Sequence, residues 1–453
     1  MTPSGPPPLA PALASAGWGR ATREGALAFA FMLAIALALA LAAVALGPLG
    51  LRGRDVLRVA GAYLALAHRV PLRIVAGGAG LAFARAVGAP ADAVALEARL
   101  AVAPLGLTVL AGWRLFRAGR RTAEGLGGSP VARALHGAKV GPTYAVLVLL
   151  ATLPVRVALA SAGLDLRIEL SVPPGPALLL PLLLAVTAGA AGGWRSAEAS
   201  GMARAGVLGG WAMLVWGLGL ALAGLFVAGV VRPDGPEALL SPTTGRYLRA
   251  VIARPSVGAV ALAHHVAALP NEAAWVLVPA MGGCDGAFPG AGEPIPFLCY
   301  GRFPRSLRLP VWLRPSSGGA PAPTRFGIAP WPYLAFLLVP AAATVLGGAR
   351  AARVVRAGRG GSRVVSGAPI AAGILAGAVF AVLVLALGWA SSMSASTVAR
   401  TAAGPPQVRS VRVGPDLGAG AALALGWGVA GGALGAALSG WSAARRGASR
   451  RAD

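Results

Sequence analysis

Charged residues are scarce in this sequence. Only 12% of its 453 residues are Asp, Glu, Lys or Arg, which is about half the charged fraction of an ordinary soluble domain. Acidic residues are the fewest, with 15 Asp and Glu against 40 Lys and Arg, and Lys139 is the only lysine. The shortage of charge excludes an ordinary soluble fold. The accompanying bias towards Ala, Gly, Pro and Arg is typical of a GC-rich, actinobacterial genome.

Motifs with a known chemistry are also lacking. The sequence has no Gly-rich phosphate loop, no paired His at metal spacing with a carboxylate between them, and no Ser nucleophile elbow. We therefore predict a protein that is not an enzyme and has no cofactor or metal. The net charge of +25 comes mostly from Arg beside apolar runs, where cations meet anionic lipid headgroups. The expected partners are the lipid bilayer and other envelope membrane proteins, and not nucleic acid; the oligomeric state is left open.

Long hydrophobic runs are abundant. Hydrophobic residues make up 56% of the chain and the mean hydropathy is +0.71. A helix needs about 20 apolar residues to cross a bilayer, and several runs reach that length. The sequence therefore predicts an all-α polytopic membrane protein with about eight transmembrane helices. The predicted spans are 26–46, 100–116, 140–160, 176–194, 206–230, 331–346, 370–390 and 417–440.

The arginines also predict an orientation. Basic clusters flank the connections near 114–139, 195–204 and 350–363, and cytoplasmic loops carry an excess of Lys and Arg. We therefore expect a bacterial plasma-membrane protein with both termini in the cytoplasm. A disordered N-terminus, a single membrane domain and a cytoplasmic tail are predicted for 1–23, 24–446 and 447–453. The outer loops are then 51–97, 232–256, 285–330 and 391–416.

One apolar segment, 257–281, carries polar residues near its middle. Pro270 predicts a break there, and each half is too short to cross a bilayer. Because the orientation allows this region to cross zero times or twice, we favour a re-entrant segment over a crossing one. Two interpretations remain open: a polar hinge at Pro270, or a proton or cation site in which Glu272 carries the charge. The candidate buried polar site consists of His264, His265, Asn271 and Glu272.

Only two cysteines are present, Cys284 and Cys299, and both lie in a predicted outer loop. An oxidising compartment favours a disulfide between them, worth about 3 kcal/mol. The alternative is two unrelated thiols.

Three stretches outside the predicted spans alternate apolar and polar residues, which is typical of strands. They are 164–172, 305–313 and 408–413. Since a lone strand leaves its backbone unsatisfied, we expect them to pair with each other in a small extracytoplasmic β cap. The alternative is three independent coil segments.

Several stretches resemble a known family. The segments 103–121 (APLGLTVLAGWRLFRAGRR) and 269–279 (LPNEAAWVLVP), with the glycine-rich last span, resemble the streptophobe family of actinobacterial multi-pass membrane proteins. The first two also resemble the PerM-like cell-division membrane proteins. Neither resemblance implies an enzymatic activity, and the second implies a scaffold role in the envelope. Our interpretation is a structural or regulatory envelope protein; the alternative is a secondary transporter built around Glu272.

Overall fold

The computed structural model describes most of the chain. The described residues are 17–46, 53–78, 93–126, 129–161, 164–195, 201–231, 255–290, 294–299, 302–304, 326–328, 335–357, 367–401, 404–405 and 407–452. The chain forms two compact units. The first comprises 1–199 with 254–263 and 395–408, and the second comprises the remainder.

The first unit is a bundle of long helices with a small sheet. The glycines and alanines that are spread along these helices allow close packing, as is usual between membrane helices. The central helix of the bundle is α6, which packs on α3, α4 and α5, while α1 packs on α2, α3 and α5. The helices are α1 (Trp18–Leu46), α2 (Val56–Ala67), α3 (Leu105–Ala123), α4 (Pro130–Ala138), α5 (Val140–Thr152) and α6 (Pro174–Arg195).

The strands of the first unit are β1 (Leu72–Gly78), β2 (Ala93–Ala101), β3 (Arg156–Ser161) and β4 (Leu164–Ser171). Their order is β3-β4-β1-β2, and all neighbours are antiparallel. Leu72 on β1 packs with Ala65, Val70 and Ala177 in an apolar cluster where the sheet meets the helices. This cluster anchors the sheet to the bundle.

The second unit has the same kinds of elements. Helix α11 packs on α9 and α10, and both of these pack on α7. The helices are α7 (Met202–Val231), α8 (Pro255–Ala280), α9 (Leu338–Ala357), α10 (Ala368–Ser391) and α11 (Leu417–Ala452). The strands in this part of the chain are β5 (Cys284–Pro289), β6 (Ile295–Cys299), β7 (Arg302–Pro304), β8 (Phe326–Ile328), β9 (Met393–Thr401) and β10 (Gln407–Pro415). Most of β9, with the first residues of α8 and of β10, is grouped with the first unit.

In this unit β10, β5, β6, β7 and β8 are neighbours in that order, and the pairs with a described register are antiparallel. Cys284 and Cys299 stand opposite each other on β5 and β6 and are joined by a disulfide. The bond joins the first residue of β5 to the last residue of β6, at the open end of this strand pair.

The two halves of the chain, which largely coincide with the two units, are a direct repeat of one module. In chain order the first half contains a long helix, a shorter helix, an antiparallel strand pair, two long helical segments, a second strand pair and a last long helix. The second half has the same order, with β7 and β8 added after its first strand pair. The pairing agrees as well, because β1 lies between β4 and β2 as β5 lies between β10 and β6.

The sequence carries the same repeat most clearly in the third span of each module. Residues 145–149 and 381–385 both read AVLVL. Each run follows a fully buried aromatic residue, Tyr144 in α5 and Phe380 in α10. Further upstream, the spacing Gly137–Gly141 recurs as Gly373–Gly377. These residues fix which positions correspond.

Glycines bring the backbones of the first unit into direct contact. A Cβ added at Gly119 in α3 or at Gly137 in α4 would collide with the carbonyl oxygen of Gly189 in α6. A Cβ added at Gly192 would collide with the carbonyl oxygen of Phe116. Three helices therefore meet at positions where only glycine fits.

The second unit repeats this contact residue for residue. A Cβ at Gly348 in α9 or at Gly373 in α10 would collide with the carbonyl oxygen of Gly432 in α11. A Cβ at Gly435 would collide with the carbonyl oxygen of Val345. The spacing between the two glycines of the last helix is the same in both units, so the packing and the repeat support each other.

The all-α polytopic fold predicted from composition is confirmed. Within the described residues, seven helical stretches are long and apolar enough to cross a membrane. Helix α3 is not among them because of its arginines, yet it occupies the place in its module that α9 holds in the other. Counting α3 with them gives eight candidate spans in the described part of the chain. The seven are Trp18–Ala45, Pro130–Thr152, Pro174–Arg195, Met202–Gly224, Ala335–Ala357, Ala368–Ser391 and Leu417–Ser442.

Several predicted boundaries differ from the structure. Helix α3 begins at Leu105, after β2, and continues to Ala123. Two of its arginines, Arg114 and Arg121, form ion pairs with Glu24. The span predicted at 140–160 stops at Thr152, and β3 follows it.

The segment predicted at 331–346 is helical from Leu338 to Ala357, so the Arg cluster near 350 belongs to a helix. At the two ends of the chain, α1 already begins at Trp18 and α11 continues to Ala452. The segment predicted to be disordered, 1–23, is therefore helical from Trp18 onwards.

The predicted strands 164–172 and 408–413 are confirmed as β4 and β10. Their predicted pairing with each other is wrong, because Ile168 stands opposite Ala76 and Leu159, and Val411 stands opposite Pro289. Each strand satisfies its backbone within its own module. The third stretch, 305–313, and the outer loop 232–256 lie outside the described residues, apart from the start of α8.

Candidate functional site

The polar segment predicted at 257–281 forms α8, a helix that continues through Pro270. The expected break is therefore absent. Proline removes one N–H from a helix, and the helix tolerates this loss here because its C-terminal half is buried among other elements of the second unit. His264 and His265 lie on α8, and their side chains are outside the described part of the structure.

Asn271 and Trp275 act together at the end of another helix. The Asn271 amide (3.4 Å) and the Trp275 indole N–H (3.2 Å) both donate to the carbonyl oxygen of Ser391. Ser391 is the last residue of α10, and the last carbonyls of a helix have no partner inside it. Asn271 therefore caps α10, which favours a structural role for it. Glu272, the next residue, is half-buried.

The corner that follows α10 is held by Arg412. Its guanidinium donates to the Ser392 hydroxyl at 3.1 Å and to the Pro415 carbonyl oxygen at 2.7 Å. It also lies over the Phe288 ring, 4.2 Å from the ring centre. The Ser392 hydroxyl in turn donates to the Gly388 carbonyl oxygen at 2.6 Å. These contacts fix the ends of α10 and β10.

Sequence reasoning missed Asp285, the acid beside Cys284 on β5. Its side chain is fully buried, and among the described residues neither carboxyl oxygen has a hydrogen-bond partner. Burial raises the pKa of Asp285 well above its ordinary value, because a buried carboxylate loses its hydration. Asp285 therefore binds its proton more tightly than an exposed acid does.

The repeat shows what Asp285 replaces. The turn after α2 contains the bond from Val70 N to Ala65 O, 2.9 Å, and the turn after α8 contains the equivalent bond from Gly283 N to Val278 O, 3.0 Å. In both turns the preceding residue has positive φ. Two positions beyond Val70 and Gly283 lie Leu72 and Asp285. An acid therefore stands where the first module has a core leucine.

A second polar position occurs only in the first module. His68 at the end of α2 is buried against Tyr144; its Nδ1–H donates to the Leu64 carbonyl oxygen at 2.6 Å, and its Nε2 accepts from the Tyr144 hydroxyl at 2.8 Å. Burial lowers the pKa of His68 to about 4, so the ring is neutral at pH 7. The second module has Met281 and Phe380 at these positions.

Comparison of the chain with protein-family models, curated proteins and solved structures finds no match. In the described ranges, no group of three or more His, Cys, Asp or Glu side chains is arranged to hold a metal ion. The site therefore has to be interpreted from its own residues. The two modules serve as references for each other, since positions that differ in polarity while the backbone packing is the same are candidates for function.

Proposed function

We propose that this chain is an integral protein of the bacterial plasma membrane with a structural or regulatory role and no enzymatic activity. The observation that carries the proposal is the glycine packing that both modules share. Backbones in direct contact at Gly189 and at Gly432 favour rigid bundles over bundles that open around a substrate. The proposed orientation places both termini and the Arg-rich helix ends in the cytoplasm.

The orientation is testable with two single cysteines in a chain that lacks Cys284 and Cys299. Gly19 on α1 has open space around it, and Gly404 lies exposed between β9 and β10. In intact spheroplasts, a membrane-impermeant maleimide is expected to label Gly404→Cys at once and Gly19→Cys only after lysis. Labelling of Gly19→Cys before lysis would reverse the orientation and remove the assignment of the sheets to the outer face.

A secondary transporter is the second candidate. Parallel internal repeats occur in several transporter folds, and the direct repeat seen here agrees with that architecture. In this alternative Glu272, half-buried on α8, supplies a proton or cation site. The absence of a break at Pro270 speaks against it, because transporter sites are typically formed by discontinuous helices.

Glu272→Gln separates the two candidates. The change removes the charge and keeps the shape, so a structural protein is expected to retain normal abundance and full complementation of a deletion strain at every pH. The control is Glu124→Gln, at an exposed acid after α3. A pH-dependent loss of complementation at normal abundance, seen for Glu272→Gln alone, would favour the transporter and refute the structural role.

A further inference from the structure

A row of three polar side chains runs along the beginning of the third span of the first module. Arg133, His136 and Lys139 follow at intervals of three residues, which places them on neighbouring positions of one helix side. His136 is only 7% exposed and Lys139 only 2%. Lysine side chains are rarely buried so completely in a protein.

The second module shows that the bundle does not need this row. The matched pairs Gly137–Gly141 and Gly373–Gly377 fix the equivalent positions on α10. Those positions hold Pro369, Ala372 and Leu375, and Ala372 is fully buried. The same helix packing therefore forms with apolar residues, and the cationic row serves something other than folding.

Two neighbouring helices add charge at the same end of the module. Arg114 and Arg121 on α3 each place a guanidinium nitrogen 3.7 Å from a carboxylate oxygen of Glu24 on α1. The carboxylate of Glu24 thus lies within ion-pair distance of two arginines. Gly25, the residue after Glu24, packs closely on α5, because a Cβ added at Gly25 would lie 2.8 Å from the carbonyl oxygen of Val140.

The equivalent close approach in the second module is at Gly210, where an added Cβ would also lie 2.8 Å from a carbonyl oxygen, that of Ala376. Gly209 therefore stands where the first module has Glu24. Ala343, fully buried, stands where it has Arg114. The polar group on α1 and α3 is thus specific to the first module, as is the row on α4.

His136 supplies an independent indication of a ligand. Its Nδ1 is buried and has no hydrogen-bond partner in the described part of the chain, although buried polar atoms are nearly always paired. A Cβ added at Gly17 would lie 4.0 Å from this nitrogen, and Gly17 has φ +110°, so a side chain is disfavoured there. Trp18, which is exposed, covers Lys139 with its ring centre 5.3 Å from Nζ.

We propose that these residues form an anion site that binds the phosphate group of an anionic lipid headgroup. The basic cluster is defined as Arg114, Arg121, Arg133, His136 and Lys139. The positive charge of its three arginines and one lysine exceeds the one negative charge of Glu24, and the cluster lies at the helix ends where headgroups meet a membrane protein. Basic pockets between membrane helices bind such headgroups. This site goes beyond the proposed structural or regulatory role and does not depend on it.

The test uses the purified full-length protein in mild detergent and native mass spectrometry with phosphatidylglycerol or phosphatidylcholine. Lys139→Leu introduces the residue of the second module, and Arg353→Gln at an exposed position of α9 is the matched control. Loss of one cation is worth about 1 kcal/mol of headgroup attraction, or about fivefold in affinity. We expect that fall for phosphatidylglycerol with Lys139→Leu, no change with phosphatidylcholine, and a smaller change with Arg353→Gln.

Inorganic phosphate as competitor identifies the source of the anion. If it displaces phosphatidylglycerol from the wild-type protein but not from Lys139→Leu, the site also takes free phosphate. If it has no effect, the site requires the lipid. His136→Ala, which introduces the second module's residue, is expected to give the same loss and carries the test if Lys139→Leu is poorly folded. Equal phosphatidylglycerol binding by the wild type, Lys139→Leu and His136→Ala would overturn the proposal.

Discussion

Asp285→Leu is expected to stabilise the folded protein at pH 7. The variant removes a fully buried acid that has no described hydrogen-bond partner. It introduces leucine, the residue found at the equivalent position of the first module, Leu72. Burying an unpaired polar group costs about 1–3 kcal/mol, and the free energy of unfolding should rise by a similar amount. The measurement is thermal unfolding of the detergent-solubilised protein, with wild type and variant prepared in parallel.

The gain from Asp285→Leu should depend on pH in a defined direction. Burial raises the pKa of Asp285 in the folded state, whereas the unfolded chain has the ordinary value of about 3.9. Below that value both states are protonated and ionisation makes no difference. As pH rises above it, the unfolded state loses its proton first, so the wild type loses stability until pH exceeds the folded-state pKa. The difference between variant and wild type should therefore widen from pH 4 upwards.

Asp416 provides the matched control. Its carboxylate accepts from the backbone N–H groups of Gly418 and Ala419 at 3.0 and 3.1 Å, and it therefore caps the start of α11. Asp416→Leu should lower stability by about 1 kcal/mol. If Asp285→Leu also destabilises the protein at every pH, Asp285 has a stabilising partner and the interpretation of it as a destabilising acid is wrong.

Gly432→Val is expected to destroy the packing of the second module. A Cβ at Gly432 would collide with the carbonyl oxygen of Gly373, so α10 and α11 must separate. Overpacking of this kind costs about 1–3 kcal/mol and sometimes more, and a collision with backbone belongs at the upper end because a carbonyl cannot change rotamer. The readout is the fraction of monodisperse protein after mild heating.

Gly426 on the same helix is the control, because nothing lies within 4 Å of an added Cβ there. Gly426→Val should leave the protein nearly unchanged. Gly189→Val, at the equivalent position of the first module, should match Gly432→Val. If Gly432→Val and Gly426→Val lower the fraction of monodisperse protein equally, the loss comes from placing valine in this helix and not from the backbone contact at Gly432.

Composition and hydropathy were sufficient to predict the membrane class and most of the spans. They failed where a helix changes into a strand inside one apolar run, as at Thr152 and Arg156, because hydropathy does not distinguish the two. The strand β1, LRIVAGG, has too little alternation to be recognised. Pro270 suggested a break for a local reason, and tertiary packing of α8 prevailed over it.

The sequence analysis missed the direct repeat, although the two AVLVL runs and the paired glycines carry it. Elsewhere the modules have diverged among Ala, Gly, Leu and Val, which are interchangeable in lipid and common by chance in this composition. Asp285 could not be recognised as a buried acid from the sequence, since its neighbours Gly286 and Ala287 resemble a surface loop. The fold buries Asp285 in the sheet, between Leu298 on β6 and Pro415 on β10.

The module has one further property that follows from its four long spans. A gene segment that encodes an even number of crossings begins and ends on the same side of the membrane. When such a segment is copied in tandem, the second copy inserts in the same orientation as the first, so its flanking charges need not be reversed. An odd number would have forced the copy to insert upside down. A tandem duplication of this module would therefore preserve its orientation in a single genetic step, and polar residues could then differ between the two copies without a change in topology.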